Sequence, residues 1–300
     1  MKRKETEIAT LVNHSEFAFL MTSALVMVAK WPGSGKSKTR LSSQLAAAAA
    51  NSEATVTIEH EREAKQFAAR FVHCATSDLA ARFGSACSEG RLDCKCVLLY
   101  APPVDEARAY FSALLELAGV DDMWKLLPVL ASSSAGGSDL GAVLADAMRR
   151  VRAACGVRRV AFIGSDCPTL PLADVQNALA RAADPCSNVA AICPATDGGY
   201  TLLALPESAD EVSCFADVRW SSHDTCLSQL AALTRANLVC TVGETHADVD
   251  ELSDLQALAE KLRAPASTPM VNAANTSCPR TAQLLSDWKG GRSSAGAAMA

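Results

Sequence analysis

A chain of 300 residues, nearly half of them apolar and carrying a net charge of −5, has the make-up of a globular protein with one large α/β domain or two small ones. The acidic balance excludes a general nucleic-acid binder, which presents a basic face, and any anionic ligand must be met by local cations or a metal. The twelve cysteines are scattered without a Cys-x-x-Cys spacing, and the closest pair, Cys94-x-Cys96, has no neighbouring histidine. Neither a zinc framework nor a disulfide scaffold is expected, and the chain reads as reduced and cytoplasmic.

Residues 1–21 are expected to be an N-terminal leader, of mixed polar character over 1–16. Lys2, Arg3 and Lys4 ahead of the apolar run from Phe17 to Ala29 imitate a signal peptide. Glu5, Glu7, His14 and Glu16 interrupt the approach, however, and the run is too short to span a membrane. Ala24–Ala29 reads instead as a first core strand. It leads into Lys30-Trp31-Pro32-Gly33-Ser34-Gly35-Lys36-Ser37-Lys38-Thr39-Arg40-Leu41, a glycine-rich loop before a helix over Leu41–Ala50. That order offers backbone N–H groups to phosphate, and Lys30, Lys36, Lys38 and Arg40 add positive charge. A solvated basic loop is the bland alternative. Gly35-Lys36-Ser37 matches the end of a Walker A loop, but the first glycine of that motif falls on Lys30, which argues against a P-loop kinase.

A second helical pattern covers Ile58–Phe83, with Phe67 and Phe71 on one face. Cys96–Tyr100 reads as a strand and Asp105–Gly119 as an amphipathic helix. Residues 120–138 read as a mobile loop, and Asp139 as the N-cap of a helix reaching Ala154. Val160–Ile163 is a short apolar run bounded by Gly164 and Pro168, hence a strand buried on both faces. Asp166 falls just past its carboxyl end, where open α/β sheets bind ligands, and is the leading candidate for a functional residue; a helix-capping role is the alternative.

Leu172–Arg181 reads as a helix and Asn188–Pro194 as a strand. Asp197-Gly198-Gly199 then leads through Tyr200 into an apolar run over Thr201–Ala204. This is either a hairpin turn or a place where paired glycines admit a ligand that Asp197 faces. Trp220 and Tyr200 could each contact a ligand or simply pack. A helix of about fourteen residues is expected from near His223, a last strand over Leu238–Val242, and an amphipathic helix over Glu251–Leu262. His246 reads as an exposed loop histidine rather than a metal ligand. From Arg263 the chain turns rich in Ala, Ser, Gly and Pro, so a domain over 22–262 and a tail over 263–300 are expected. Alternating strands and helices imply a largely parallel sheet.

Several motifs occur in one order: Lys30-x-Pro32-x-x-Gly35-x-x-Lys38-Thr39-Arg40-Leu41, Asp139-Leu140-Gly141, Gly164-Ser165-Asp166-Cys167-Pro168, Asp197-Gly198-Gly199-Tyr200, Trp220-Ser221 and Asp248-Val249-Asp250. Together they resemble the glycosyltransferase A-like family called domain of unknown function 2064, related to molybdenum-cofactor nucleotidyltransferases and phospholactate guanylyltransferases. The resemblance implies a three-layer α/β/α GT-A-like fold with a mostly parallel central sheet.

It also implies a metal-dependent transferase using a nucleotide-activated donor, a glycosyltransferase on a nucleotide-sugar before a nucleotidyltransferase on a nucleoside triphosphate or a degenerate nucleotide-binding protein. Lys30, Lys38 and Arg40 would bind phosphates, with Pro32, Gly35, Thr39, Asp139, Gly141 and Ser165 around them. Gly198, Gly199, Tyr200, Trp220 and Ser221 would meet the substrate. Asp166 would hold the metal, Asp197 would be a second ligand or general base, and Asp248 or Asp250 would complete the acidic cluster. Oxygen ligands favour Mg²⁺ or Mn²⁺. The chain departs from the glycosyltransferase Asp-x-Asp, which is reduced here to Asp166-Cys167-Pro168. Cationic and acidic side chains are expected on opposite walls of one pocket.

Overall fold

The computed structural model describes residues 23–34, 37–50, 55–130, 140–183, 188–263 and 278–288. Gly35, Lys36, Asp139 and the leader lie outside the described residues.

Among the described residues seven strands form one sheet: β1 Ser23–Lys30, β2 Lys95–Ala101, β3 Trp124–Pro128, β4 Arg159–Gly164, β5 Val189–Pro194, β6 Tyr200–Leu205 and β7 Val239–Val242, in the order β3-β2-β1-β4-β6-β5-β7. All pairings are parallel except those of β6, which runs antiparallel to both β4 and β5. The short connection over residues 195–199 after β5 is the cause, since only a hairpin can be closed by so few residues.

The helices are α1 Thr39–Ala50, α2 Ile58–Ser88, α3 Asp105–Ala118, α4 Leu140–Cys155, α5 Leu172–Ala182, α6 Thr225–Arg235, α7 Leu252–Arg263 and α8 Pro279–Asp287. Side-chain alternation sorts the strands into two cores. Leu25, Met27, Ala161 and Ile163 pack against the second half of α2, α3 and α5. Ala24, Val26, Val160 and Phe162 pack against α4 and α6. The result is three layers, α/β/α, with β1 and β4 covered on both faces as their unbroken apolar runs require.

A third cluster gathers α1, the first half of α2, α7 and α8 around Phe71, Leu255 and Leu285. Here the structure corrects two expectations. Residues 278–288, expected in a tail, include a helix docked on α2, because Leu284 and Leu285 bury against it. Trp124–Pro128, read as part of a loop, is the edge strand β3; its terminal proline disguised it, and an edge position tolerates proline. The helix expected from near His223 is shorter, beginning at Thr225.

β1 and β4 are neighbours, and the chain leaves β1 toward β2 while the elements after β4 lie on the other side. The crevice at their carboxyl ends is therefore the switch point of the sheet, where such folds bind ligands.

Candidate active site at the sheet switch point

Three segments converge on this crevice. β4 ends at Gly164, and the Asp166 carboxylate folds back so far that a Cβ on residue 164 would stand 2.5 Å from its Oδ1 and displace it. After β7 the chain runs back along the end of β5. The His246 N–H donates to the Pro194 carbonyl (2.9 Å), and the Val249 N–H donates to the Asp166 carbonyl (3.2 Å). Asp248 and Asp250 thereby flank Asp166, and the three offer carboxylate oxygens within 4.8 Å of one another. The third segment is the start of α1. The Gln44 side chain accepts from the Leu252 N–H (2.7 Å), joining α1 to α7.

That junction brings two cations onto the acids. Lys38 Nζ donates to Asp166 (2.8 Å) and to Asp250 (2.5 Å), and Arg40 binds Asp250 (2.6 Å) and Glu251 (3.0 Å). The expectation of opposite walls is corrected: the charges share one site but interleave, because like charges held this close are stable only when opposite ones lie between them. Burial alone would lower the Lys38 ammonium, yet Asp166 and Asp250 outweigh it and hold its pKa above the ordinary lysine value. Burial raises and Lys38 and Arg40 lower Asp250, with a net fall. Asp248 has no such partner among the described residues; burial, then Asp166, Asp197 and Asp250, push its carboxyl up to about 7. Lys38 also adopts a left-handed backbone (φ 51°), as does Ser221 (φ 56°) across the cleft. Strain of this kind in residues other than glycine gathers at functional sites.

A cleft of about 750 Å³ opens beside the cluster. Asp248, Asp250 and Arg40 form its charged end, Val28, Leu144 and Phe162 its apolar floor, and Asp197, Gly199, Trp220, Ser221 and His223 its far rim. Gly198 holds that rim in place: its φ is +91°, and a Cβ there would meet the His223 carbonyl at 2.0 Å.

The other expected site residues are placed as follows. Asp197 stands on the rim, apart from the three clustered aspartates, and its Oδ1 accepts from the Gly199 N–H (2.8 Å). Lys30 is exposed at the end of β1, Pro32 lies in a short helical turn and Thr39 opens α1. Ser165 sits between Gly164 and Asp166 at the end of β4. Gly141, at the start of α4, lines a neighbouring groove of about 620 Å³ that meets the cleft at Trp220. The Tyr200 hydroxyl turns inward to donate to Gln229 (3.2 Å), and its ring lies 6.4 Å from that of Trp220. His246 is not an exposed loop residue, since its Nε2 lies 2.8 Å from Asp174 on α5 and its side chain is 13% exposed. Glu251 went unrecognised as a site residue. The acidic run Asp248-x-Asp250-Glu251 ahead of a helix was its signal.

The three aspartates suit a hard divalent cation: the donor set is all oxygen, and the Lys38 ammonium already bridges two of them as a cation would. No described helix is long and apolar enough to cross a membrane.

No curated protein matches the chain. Among solved structures it is similar to a proposed nucleotide-diphospho-sugar transferase from Desulfovibrio desulfuricans G20, at 23% identity and a TM-score of 0.59, over 88% of this chain and 98% of that one. That likeness concerns the fold. A cytidylyltransferase from Leptospira borgpetersenii aligns at 8% identity and a TM-score of 0.47, over 90% of this chain and 98% of that one. Residues 90–222, from the turn after α2 to the rim of the cleft, match the family described as uncharacterized protein conserved in bacteria (DUF2064).

Proposed function

We propose that the protein is a transferase acting on a nucleotide-activated donor, with glycosyl transfer from a nucleotide-sugar as the first reading. The observation that carries it is the switch-point cleft, in which three aspartates, two cations and an apolar floor meet at the carboxyl ends of β1 and β4. The resemblance of the motifs to glycosyltransferase A-like proteins and the fold shared with a proposed nucleotide-diphospho-sugar transferase support it.

Asp166, Asp248 and Asp250 would hold Mg²⁺ or Mn²⁺, which when bound neutralises phosphate oxygens and the charge that develops on a departing diphosphate. The chain's own residues do the rest. Arg40 faces the cleft and exchanges its carboxylate partners for phosphate oxygens. Val28, Leu144 and Phe162 offer an apolar surface to a base or sugar. Trp220 closes the far side, with Asp197 beside it to accept a proton from an acceptor hydroxyl as general base. Lys30 stands at the end of β1 to meet a more distant phosphate.

A second reading, nucleotide binding without turnover, is favoured by the Lys38 bridge, which already neutralises Asp166 and Asp250. One experiment separates the two. Calorimetry with nucleotide-sugars and nucleoside triphosphates, with and without Mn²⁺, is run on the parent and on Asp166→Asn, alongside a donor-hydrolysis assay. Metal-dependent donor hydrolysis that Asp166→Asn lowers at least a hundredfold supports transfer. Donor binding that survives the substitution, with no turnover in the parent, favours the second reading. No binding of either ligand class ends both.

A further inference from the structure

At the opposite end of β2 from the cleft, three cysteines meet. Period-two alternation puts Cys94 and Cys96 on the same face of the chain entering β2, the face that also carries Leu98 and Tyr100 into the core. The last turn of α2 lies over that face and contributes Cys87. The Cys87 sulfur is 3.4 Å from that of Cys96 and 3.7 Å from that of Cys94, and all three sulfurs fall within 4.8 Å of one another. None exceeds 6% exposure.

Cysteines that only fill space have no reason to gather. The remaining cysteines among the described residues lie outside any such group of three. The spacings are also too long for a disulfide, whose sulfurs stand about 2 Å apart. They do match a metal centre. Three sulfurs at a bond length of about 2.3 Å around one ion are about 4 Å apart in a trigonal plane.

We infer that Cys87, Cys94 and Cys96 form a binding site for one soft, thiophilic metal ion held by three sulfurs, with Cu(I) as the ion that fits it. Structural zinc takes four ligands, and among the described residues this group of metal-binding side chains numbers three. Thiolate-only donors and low coordination suit Cu(I) instead. The ion displaces the thiol protons to solvent. Access is short, because Cys87 and Cys94 flank a turn on which Glu89, Gly90, Arg91 and Asp93 are exposed. A bound ion would clamp the end of α2 to the start of β2, independently of the cleft.

The test uses the reduced full-length protein and Cu(I) buffered by a competing chelator. The site predicts one tightly held equivalent per chain, a copper-edge absorption spectrum with three sulfur neighbours at about 2.3 Å, and a rise in thermal midpoint on loading. Cys87→Ala and Cys96→Val should each lose the tight equivalent and the midpoint rise, whereas Cys240→Ala, elsewhere in the fold, should keep both. Two or four sulfur neighbours in the unsubstituted chain, no tight equivalent, or equal loss in Cys240→Ala overturns the assignment. So does Zn(II) held more tightly than Cu(I). The spectrum of the unsubstituted chain decides the matter even where a core variant fails to fold.

Discussion

Lys38 is the side chain on which the acidic cluster turns. It is almost wholly buried, its backbone is left-handed, and its ammonium is shared by Asp166 and Asp250. Removing one partner of such a pair leaves uncompensated carboxylates, a loss softened here by the partial exposure of both acids. Lys38→Met should therefore lower stability by about 1–2 kcal/mol in chelator. Millimolar Mg²⁺ or Mn²⁺ should restore most of it, as read by urea unfolding, because the cation takes the place of the ammonium. Failure of either ion to restore it would count against the metal assignment.

Asp248 answers to pH with a definite sign. Its folded pKa of about 7 exceeds the ordinary carboxylate value because burial and the facing acids disfavour its charge. Its contribution to stability is thus complete below about pH 4 and is lost as pH rises to about 7. Asp248→Asn removes that penalty. In chelator the variant should be more stable than the parent by about 1–2 kcal/mol at pH 8, after discounting for partial exposure. The gap should close as the pH falls toward 4.

Among the elements, α8 shows how a helix can be held by one buried charge. Asp78, in the middle of α2 with a fully buried side chain, accepts the N–H groups of Arg280 (3.1 Å) and Thr281 (2.8 Å). It serves the first turn of α8 as an N-cap residue would, although it lies two hundred positions away in the chain. Asp78→Ala should cost about 2 kcal/mol and make the segment around residues 278–288 the first site of limited proteolysis. The periodicity of Pro279–Asp287 is too short to announce a helix, and its partner lies too far off in sequence to be guessed. The hairpin at Gly198 is the opposite case. Asp-Gly-Gly between apolar runs announced a turn, and the turn and the rim of the cleft proved to be one feature, since the contact with His223 requires the missing side chain.

For the molecule as a whole, the cluster formed by α1, α2, α7 and α8 stands outside the three layers yet sets the site, because Lys38 immediately precedes α1, Arg40 lies in its first turn, and Asp250 and Glu251 immediately precede α7. Removing residues 264–300 should uncover Phe71 and its neighbours and cost roughly 3–5 kcal/mol for the two lost leucines. Thermal unfolding would show this as a midpoint lower by roughly ten degrees. Because α7 is anchored by that cluster, Mn²⁺ affinity should fall in the same variant.

The strands of this protein could be read directly from the chain, because β1, β2, β4 and β5 are unbroken apolar runs that only a doubly covered sheet can bury. The position of Asp166 could be read as well, since ligands of open α/β sheets bind outside the carboxyl ends of the strands and this residue follows such an end. The edge strand β3 escaped, being short, half exposed and closed by proline. Contacts across long stretches of chain were beyond reach for a physical reason: composition and periodicity report on neighbours in sequence, whereas Lys38 meets Asp250 and Cys87 meets Cys96 through helix docking. Folding set the cations among the acids rather than opposite them, because in a crevice this narrow charge is balanced at contact distance.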